Sequence, residues 1–193
     1  TSKEEEVSIE VYTEDNFLEP HLHRKAYNYA MNRGQAKWGE YDNDPTKPTG
    51  LTVNVTLSEP IYKKFDEVAR EKFPIIKDFE LVRLYINCFM PYEQPLFHVD
   101  ADPKIDGLDA YTMLYYPQLE YDRQEGGWTE FLLDNDSYVH GSLPLCNRAT
   151  LFNGKLWHRA TPFRNHVRFT FALKYEKITD PNLDLRMYGS ARR

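Results

Sequence analysis

From Phe79 to Glu176 the chain is a succession of short runs, and this pattern limits its fold more than any other feature. The runs are FELVRLYINCFM (79–90), AYTMLYYP (110–117), TEFLLD (129–134), ATLFNG (149–154) and VRFTFALKYE (167–176). Each is strand-sized and bounded by Gly, Pro, Asn or Asp clusters, and in an extended run side chains two apart share a face. Many short strands of this kind suit an antiparallel barrel or sandwich.

The first part of the chain has a different period. Asp15 to Gly34 carries a capping residue, a Pro near the first turn, apolar Leu18, Leu22, Ala26, Tyr29 and Ala30, and a terminal Gly, which predicts an amphipathic helix. A polar loop, Gly39 to Gly50 with Pro45 and Pro48, leads to a short strand pattern over Leu51–Leu57. Ser58 is placed to cap a second helix with Ile61, Phe65, Val68, Ala69 and Phe73 on one side. The expectation is a mainly β (α+β) fold with N-terminal helices packed on one sheet. No repeat, low-complexity tract or linker divides it, so residues 1–193 read as one domain, with a helical part over about 1–78 and a barrel core over about 79–178. The tail from Asp180 is polar enough to be expected poorly ordered.

Composition excludes some roles. Lys+Arg number 24 against 30 Asp+Glu, a net charge of -6, which disfavours nonspecific nucleic-acid binding while leaving a local basic groove open. The apolar runs are strand-length and no leader pattern opens the chain, so a soluble, cytoplasmic protein with no membrane span is expected. Cys88 and Cys146 are too few for a disulfide scaffold and lack zinc-site spacing, so both should remain thiols. Asn54-Val55-Thr56 and Asn135-Asp136-Ser137 are sequons that arise by chance and say nothing of the compartment.

The chemistry begins at His98-Val99-Asp100. In an extended segment His98 and Asp100 point to one side and can converge on an ion, while Val99 points into the core. His158, after the run ATLFNG, is the candidate third ligand, from a strand able to run beside the first. Two neutral imidazoles and one carboxylate on one face of an octahedral ion leave three positions open, the arrangement of non-haem Fe(II) oxygenases. A lone His-x-Asp is a weak signal in a chain with six His. Arg168 strengthens it: ten positions after His158, it sits between Val167 and Phe169 in a strand pattern, and a guanidinium on an inward face needs an anion. Its planar fork matches the distal carboxylate of 2-oxoglutarate. In the run before the triplet, Arg83, Tyr85 and Asn87 share one face and Val82, Leu84, Ile86 and Cys88 the other, so the polar row is expected to face a pocket.

Taken in order, RLYIN, HVD, TMLYYP, EGGWTEF, ATLFNGKLWHRATP and an Arg in the final strand make the segment Val82–Tyr175, about half the chain, resemble the catalytic core of the 2-oxoglutarate/Fe(II) dioxygenase superfamily, in its prolyl-4-hydroxylase-like branch. The resemblance implies a double-stranded β-helix, a jelly-roll barrel with the metal at its mouth. It puts His98, Asp100 and His158 in the metal-ligand positions and Arg168 at the far carboxylate of the co-substrate. Tyr116 matches the position whose phenol helps bind that carboxylate, and a slip of one residue would put Tyr115 there instead. Tyr85 and Asn87 are further candidates for co-substrate contact, and Arg83 for substrate. Gly126-Gly127 matches a glycine pair that turns the chain.

The implied activity uses Fe(II), 2-oxoglutarate and O₂ to oxidise, chiefly hydroxylate, a substrate such as a prolyl or other amino-acid residue, with release of succinate and CO₂. Many prolyl hydroxylases have Lys where this chain has Arg168, which leaves the prolyl assignment unsupported at that position; Asp100 disfavours halogenation. The competing readings are a small-molecule oxidase of the same superfamily (desaturation or ring formation), a noncatalytic cupin-like binding protein, and a zinc hydrolase, which would lack a general-base motif such as HExxH. The loop Gly39–Gly50 and the segment Asp102–Asp109 are the candidates for substrate contact.

Overall fold

The computed structural model describes residues 10–32, 37–38, 50–133 and 137–183, and for 37–38 the backbone alone. Along the chain run β1 (Val11–Glu14), α1 (Pro20–Met31), β2 (Lys37–Trp38), β3 (Leu51–Asn54), α2 (Pro60–Lys72), β4 (Glu80–Phe89), β5 (Leu108–Tyr116), β6 (Thr129–Leu132), β7 (Val139–Ser142), β8 (Arg148–Asn153), β9 (His158–Ala160) and β10 (Arg168–Ile178). They form a seven-stranded sheet in the order β1-β8-β5-β10-β4-β3-β2 and a three-stranded sheet in the order β7-β6-β9. The pairings are antiparallel. This is a mainly β architecture with two helices.

Several boundaries differ from the sequence reading. Helix α1 starts at Pro20, not Asp15, because Phe17 and Leu18 are buried and anchored elsewhere: Leu18 N donates to Asn147 Oδ1 at 3.0 Å. Asp15 caps nothing and instead takes a forked pair from Arg148, at 2.6 and 2.9 Å. Helix α2 starts at Pro60, whose fixed φ suits a first turn, and Ser58 does not cap it; its hydroxyl lies 3.0 Å from that of Thr56. It ends at Lys72, with Phe73 as its C-cap, because Pro74 follows and disfavours a helical residue before it. Strand β3 stops at Asn54 rather than Leu57. The first 78 residues are not only helical: β1 and β3 pair within the large sheet, and β2 pairs with β3. The helix end at Gly34, residues 39–49 of the polar loop, residues 134–136 with part of the second sequon, and the tail from 184 lie outside the described residues.

Parity sorts the large sheet into two faces. On β10, Phe171, Leu173 and Tyr175 belong to the apolar cluster with Leu84 and Ile86 of β4, Met113 and Tyr115 of β5, and Phe65 and Ala69 of α2. The Phe65 ring lies 4.8 Å from that of Phe171 and 5.0 Å from that of Tyr115. The other face carries Tyr85, Leu114, Phe152 and Ala172, and Phe131 of the small sheet packs on it. The alternation expected along β4 holds from Arg83 to Phe89 but is broken just before Arg83. Lys174 pairs with Arg83 but Tyr175 pairs with Leu81, so a bulge skips Val82 and turns Leu81 into the apolar cluster while Val82 is half-buried.

Candidate metal centre

His98 and His158 are brought together by the backbone. They form an antiparallel bridge, with His98 N donating to His158 O at 3.0 Å and His158 N to His98 O at 2.9 Å. Asp100 N and Ala101 N both donate to Gly154 O, at 2.8 and 3.0 Å, which holds the HVD triplet against the turn after β8. Run ATLFNG itself, as β8, pairs with β1 and β5 rather than with the triplet. Val99 is half-buried and not a core residue; the chain bends after His98, and Ala101 is buried in this stretch.

The two imidazoles are presented alike. His98 Nδ1 lies 3.1 Å from Leu96 O and His158 Nδ1 2.8 Å from Leu156 O. A carbonyl only accepts, so each Nδ1 carries a proton, and Nε2 is the ring atom turned to the site. Both Nε2 atoms turn toward Asp100: His98 Nε2 is 3.7 Å from Oδ1 and His158 Nε2 is 3.4 Å from Oδ2. The three candidate ligand atoms lie within 4.8 Å of one another. Phe152, with its ring 4.5 Å from that of His158, backs the imidazole.

Behind the carboxylate stands a residue that the sequence reading missed. Lys174 is 8% exposed and forms an ion pair with Asp100 Oδ2; its ammonium also donates to Thr112 Oγ1 at 3.2 Å, and the Thr112 hydroxyl donates to the same Oδ2 at 2.5 Å. Burial alone would push the Asp100 carboxyl up, but Lys174, then His158 and His98, outweigh it and hold the group well below the usual carboxylate range. Burial pulls the Lys174 ammonium down, and Asp100 and Tyr85 together more than restore it, so the net shift is upward. The signal for Lys174 was its parity, since residues 168, 170, 172 and 174 of one strand share a face.

Arg168 is 1% exposed at the far end of that row. Its Nε donates to Gly127 O at 2.9 Å, one terminal nitrogen to Thr170 Oγ1 at 3.3 Å and the other to Thr129 Oγ1 at 3.1 Å. Burial pulls its pKa down from the usual arginine value, opposed by Tyr116. Its hydrogen-bond partners are neutral and no carboxylate among the described residues faces it, so a buried guanidinium is held in place with its charge unanswered. Gly126 and Gly127 both have positive φ, 76° and 78°, and a Cβ on Gly127 would overlap the Phe163 ring. The glycine pair thus does more than turn the chain: it delivers the carbonyl that fixes Arg168.

Tyr116, not Tyr115, lies on the Arg168 face. The Arg168 guanidinium sits 5.5 Å from the centre of the Tyr116 ring, whose hydroxyl is 2.8 Å from Thr129 Oγ1. Tyr115 points into the apolar cluster and donates to Asn147 Oδ1 at 2.9 Å. Tyr85 is buried on the metal-facing side, with the Lys174 ammonium 5.8 Å from its ring centre. Asn87 is half-buried and pairs with Thr170, next to Arg168. Arg83 stacks on Tyr85 at 3.9 Å and reaches Asn54 Oδ1 at 3.3 Å, at the outer end of the same row. The segment Asp102–Asp109 runs through turns up to Gly107 and then enters β5, with Gly107 O accepting from Thr179 N at 2.9 Å.

No protein-family model and no curated protein sequence matches the chain. Solved structures do. A prolyl-4-hydroxylase from Pseudomonas putida matches with a TM-score of 0.69 at 14% identity, over 88% of this chain and 94% of that one. A prolyl hydroxylase from Trichoplax adhaerens, in complex with a peptide fragment of the hypoxia inducible factor oxygen degradation domain, matches with a TM-score of 0.66 at 14% identity, over 87% and 84%. HygX from Streptomyces hygroscopicus, with nickel and 2-oxoglutarate bound, matches with a TM-score of 0.64 at 10% identity, over 86% and 82%. The chain therefore has the fold of prolyl-4-hydroxylases and other 2-oxoglutarate/Fe(II) oxygenases. Among the described residues, no helix is long and apolar enough to cross a membrane.

Proposed function

We propose that the chain is a single-domain oxygenase of the prolyl-4-hydroxylase-like branch, dependent on Fe(II), 2-oxoglutarate and O₂, and that its two sheets are the walls of a double-stranded β-helix. His98 Nε2, His158 Nε2 and Asp100 would hold the iron, a donor set of two imidazoles and one carboxylate that suits Fe(II) with positions left open. Arg168 would take the distal carboxylate of 2-oxoglutarate, with Tyr116, Thr129 and Thr170 around it. The single observation that carries this reading is the buried guanidinium without an anion, on the same strand face as the residues behind the metal ligands. A cupin-like metal-binding protein or a zinc hydrolase would use the triad and leave Arg168 without a purpose.

Iron, 2-oxoglutarate and O₂ together supply the oxidising power, with succinate and CO₂ as by-products. The residues of the chain orient rather than react. The Leu96 and Leu156 carbonyls fix the imidazole tautomers, Arg168 sets the depth at which the co-substrate sits, and Phe131, Phe152 and Leu114 keep the space between the sheets dry. Tyr85 and Asn87 would border the co-substrate, and Arg83, at the outer end of the row, the substrate. Hydroxylation of a prolyl or other amino-acid residue is the reaction we favour, on the likeness to prolyl hydroxylases.

The test is incubation with Fe(II), 2-oxoglutarate and O₂ across a panel of proline-containing peptides, free amino acids and small molecules. Succinate should form only when all three are present, and the substrate should gain one oxygen in mass. Metal-loaded protein that neither binds 2-oxoglutarate nor releases succinate would refute the assignment. Loss of two hydrogens from a small molecule, in place of oxygen gain, would move the reaction to desaturation or ring formation.

A further inference from the structure

The two oxygens of Asp100 border one imidazole each, Oδ1 at 3.7 Å from His98 Nε2 and Oδ2 at 3.4 Å from His158 Nε2, but they are otherwise treated unequally. Oδ2 accepts from the Lys174 ammonium and from the Thr112 hydroxyl, whereas Oδ1 accepts no hydrogen bond from the described residues. Lys174 in turn is held by strand register: it pairs with Thr112 of β5 on one side and with Arg83 of β4 on the other, and it is buried. An ammonium in this position is costly to bury, and the carboxylate it faces is the one proposed to bind the metal.

Resting on the oxygenase reading above, we propose that Lys174, with Thr112, is a positioning residue that restricts Asp100 to one metal-facing oxygen and thereby keeps three coordination positions open for co-substrate and oxidant. Two imidazoles and one carboxylate oxygen occupy three of six positions, and a chelating 2-oxo acid needs two more. A carboxylate that turned both oxygens to the ion would take a fourth, and the set would no longer fit. Lys174 prevents this by occupying the second oxygen. It also adds a positive charge beside the ion, which favours an anionic chelator over water. Lys174 acts through Asp100 and does not itself touch the co-substrate.

The consequence separates Lys174 from Arg168. Arg168 answers the distal carboxylate, so it should discriminate 2-oxoglutarate from pyruvate, which has the same chelating end and no distal group. Lys174 acts at the chelating end, so it should serve both acids alike. The experiment is calorimetric titration of each acid into Mn(II)-loaded protein without O₂, for the wild type, Lys174→Met, Lys174→Arg and Arg168→Leu. Lys174→Met should weaken both acids by a similar factor, about 10-fold or more, as is usual for a partner of a metal ligand, while Mn(II) remains bound. Lys174→Arg should recover most of that loss, and Arg168→Leu should weaken 2-oxoglutarate only. Thr112→Val, which removes a donor from the same oxygen and keeps the charge, should reproduce the pattern with a smaller factor, and it provides the same reading if Lys174→Met does not fold. Unchanged binding of both acids would overturn the proposal and leave Lys174 a structural ion pair. Weakening of 2-oxoglutarate alone in Lys174→Met would overturn it too, by moving Lys174 to the distal carboxylate. A wild type that binds no Mn(II) would overturn the oxygenase reading itself and this inference with it.

Discussion

The two faces of strand β10 divide the labour of the molecule. Phe171, Leu173 and Tyr175 point to the helix side, where they meet Phe65, Ala69 and Tyr115 in a closed apolar cluster. Arg168, Thr170 and Lys174 lie on the opposite face and are buried too, yet they are polar and two of them are charged. Burial on the first face is driven by area removed from water. On the second it costs free energy unless each charge is answered, and among the described residues it is answered for Lys174 and not for Arg168. The contrast teaches that one face of the strand holds the fold together while the other is kept for ligands, with strand parity as the divider.

The sharpest way to break that comparison is at the triad. His98→Ala, Asp100→Ala and His158→Ala should each abolish turnover and weaken Fe(II) binding severely, because a facial set short of one ligand no longer fixes the geometry. The three should differ in stability. Asp100→Ala strands the Lys174 ammonium without its carboxylate and should cost about 3–5 kcal/mol, whereas His98→Ala removes a partly exposed ring at the edge of the site and should cost far less. Urea unfolding of the metal-free variants checks the split. A change on the other face should behave in the opposite way: Phe171→Ala opens a cavity among Phe65, Tyr115 and Leu173 and should cost about 3–5 kcal/mol of stability. Metal and co-substrate affinities of the folded protein should be nearly unchanged. A large loss of 2-oxoglutarate affinity in folded Phe171→Ala would show that the faces are coupled rather than divided.

Arg168→Leu tests the functional face alone. It removes the partner of a carboxylate that would sit in a water-poor space, a loss of about 2–5 kcal/mol, or roughly 30- to 4000-fold in affinity. The apparent KM for 2-oxoglutarate should rise accordingly with Fe(II) affinity almost unaltered, since Arg168 is not a ligand. Stability should not fall in proportion, because the partners of the wild-type guanidinium among the described residues are neutral. An unchanged KM in the folded variant would leave the guanidinium without a functional anion.

These assignments differ in how far the sequence alone reveals them. Arg168 is legible because its neighbours on the strand are apolar and it follows His158 at a set interval. Lys174 carries the same parity signal, but a lysine in a strand reads as a surface residue until its partner is known, and Asp100 is distant along the chain. The triad is legible as a triplet plus one residue; its mutual orientation is not, since it depends on the His98–His158 bridge and on Gly154 O, both of which are long-range backbone contacts. Strands β1 (VYTE) and β7 (VHGS) are too short and too polar to stand out, and they exist because a neighbouring strand offers them a ladder. The bulge at Val82 is likewise invisible in an alternating run, as both registers satisfy the pattern. The helix starts are not legible from caps, because Asp15 and Ser58 have the residue types of caps while Pro20 and Pro60 at the first helical positions mark the true starts.

The adjacent tyrosines of β5 give the smallest and most local test of the two-face division. Tyr115 and Tyr116 are both fully buried and differ in which way they point. The Tyr116 hydroxyl bonds Thr129, which itself accepts from Arg168, so Tyr116→Phe loosens the group that holds the guanidinium. One net hydrogen bond is worth about 0.5–1.5 kcal/mol, so the KM for 2-oxoglutarate should rise by roughly 2- to 12-fold. The Tyr115 hydroxyl instead bonds Asn147, whose side chain also ties down Leu18 ahead of α1. Tyr115→Phe should therefore lower the urea midpoint by an amount of the same order and leave the KM where it was. Measured side by side, the pair should show one variant shifted in co-substrate affinity and the other in stability. A KM shift in Tyr115→Phe with none in Tyr116→Phe would mean that the register of β5 is off by one residue, which would exchange the two faces at this point of the sheet.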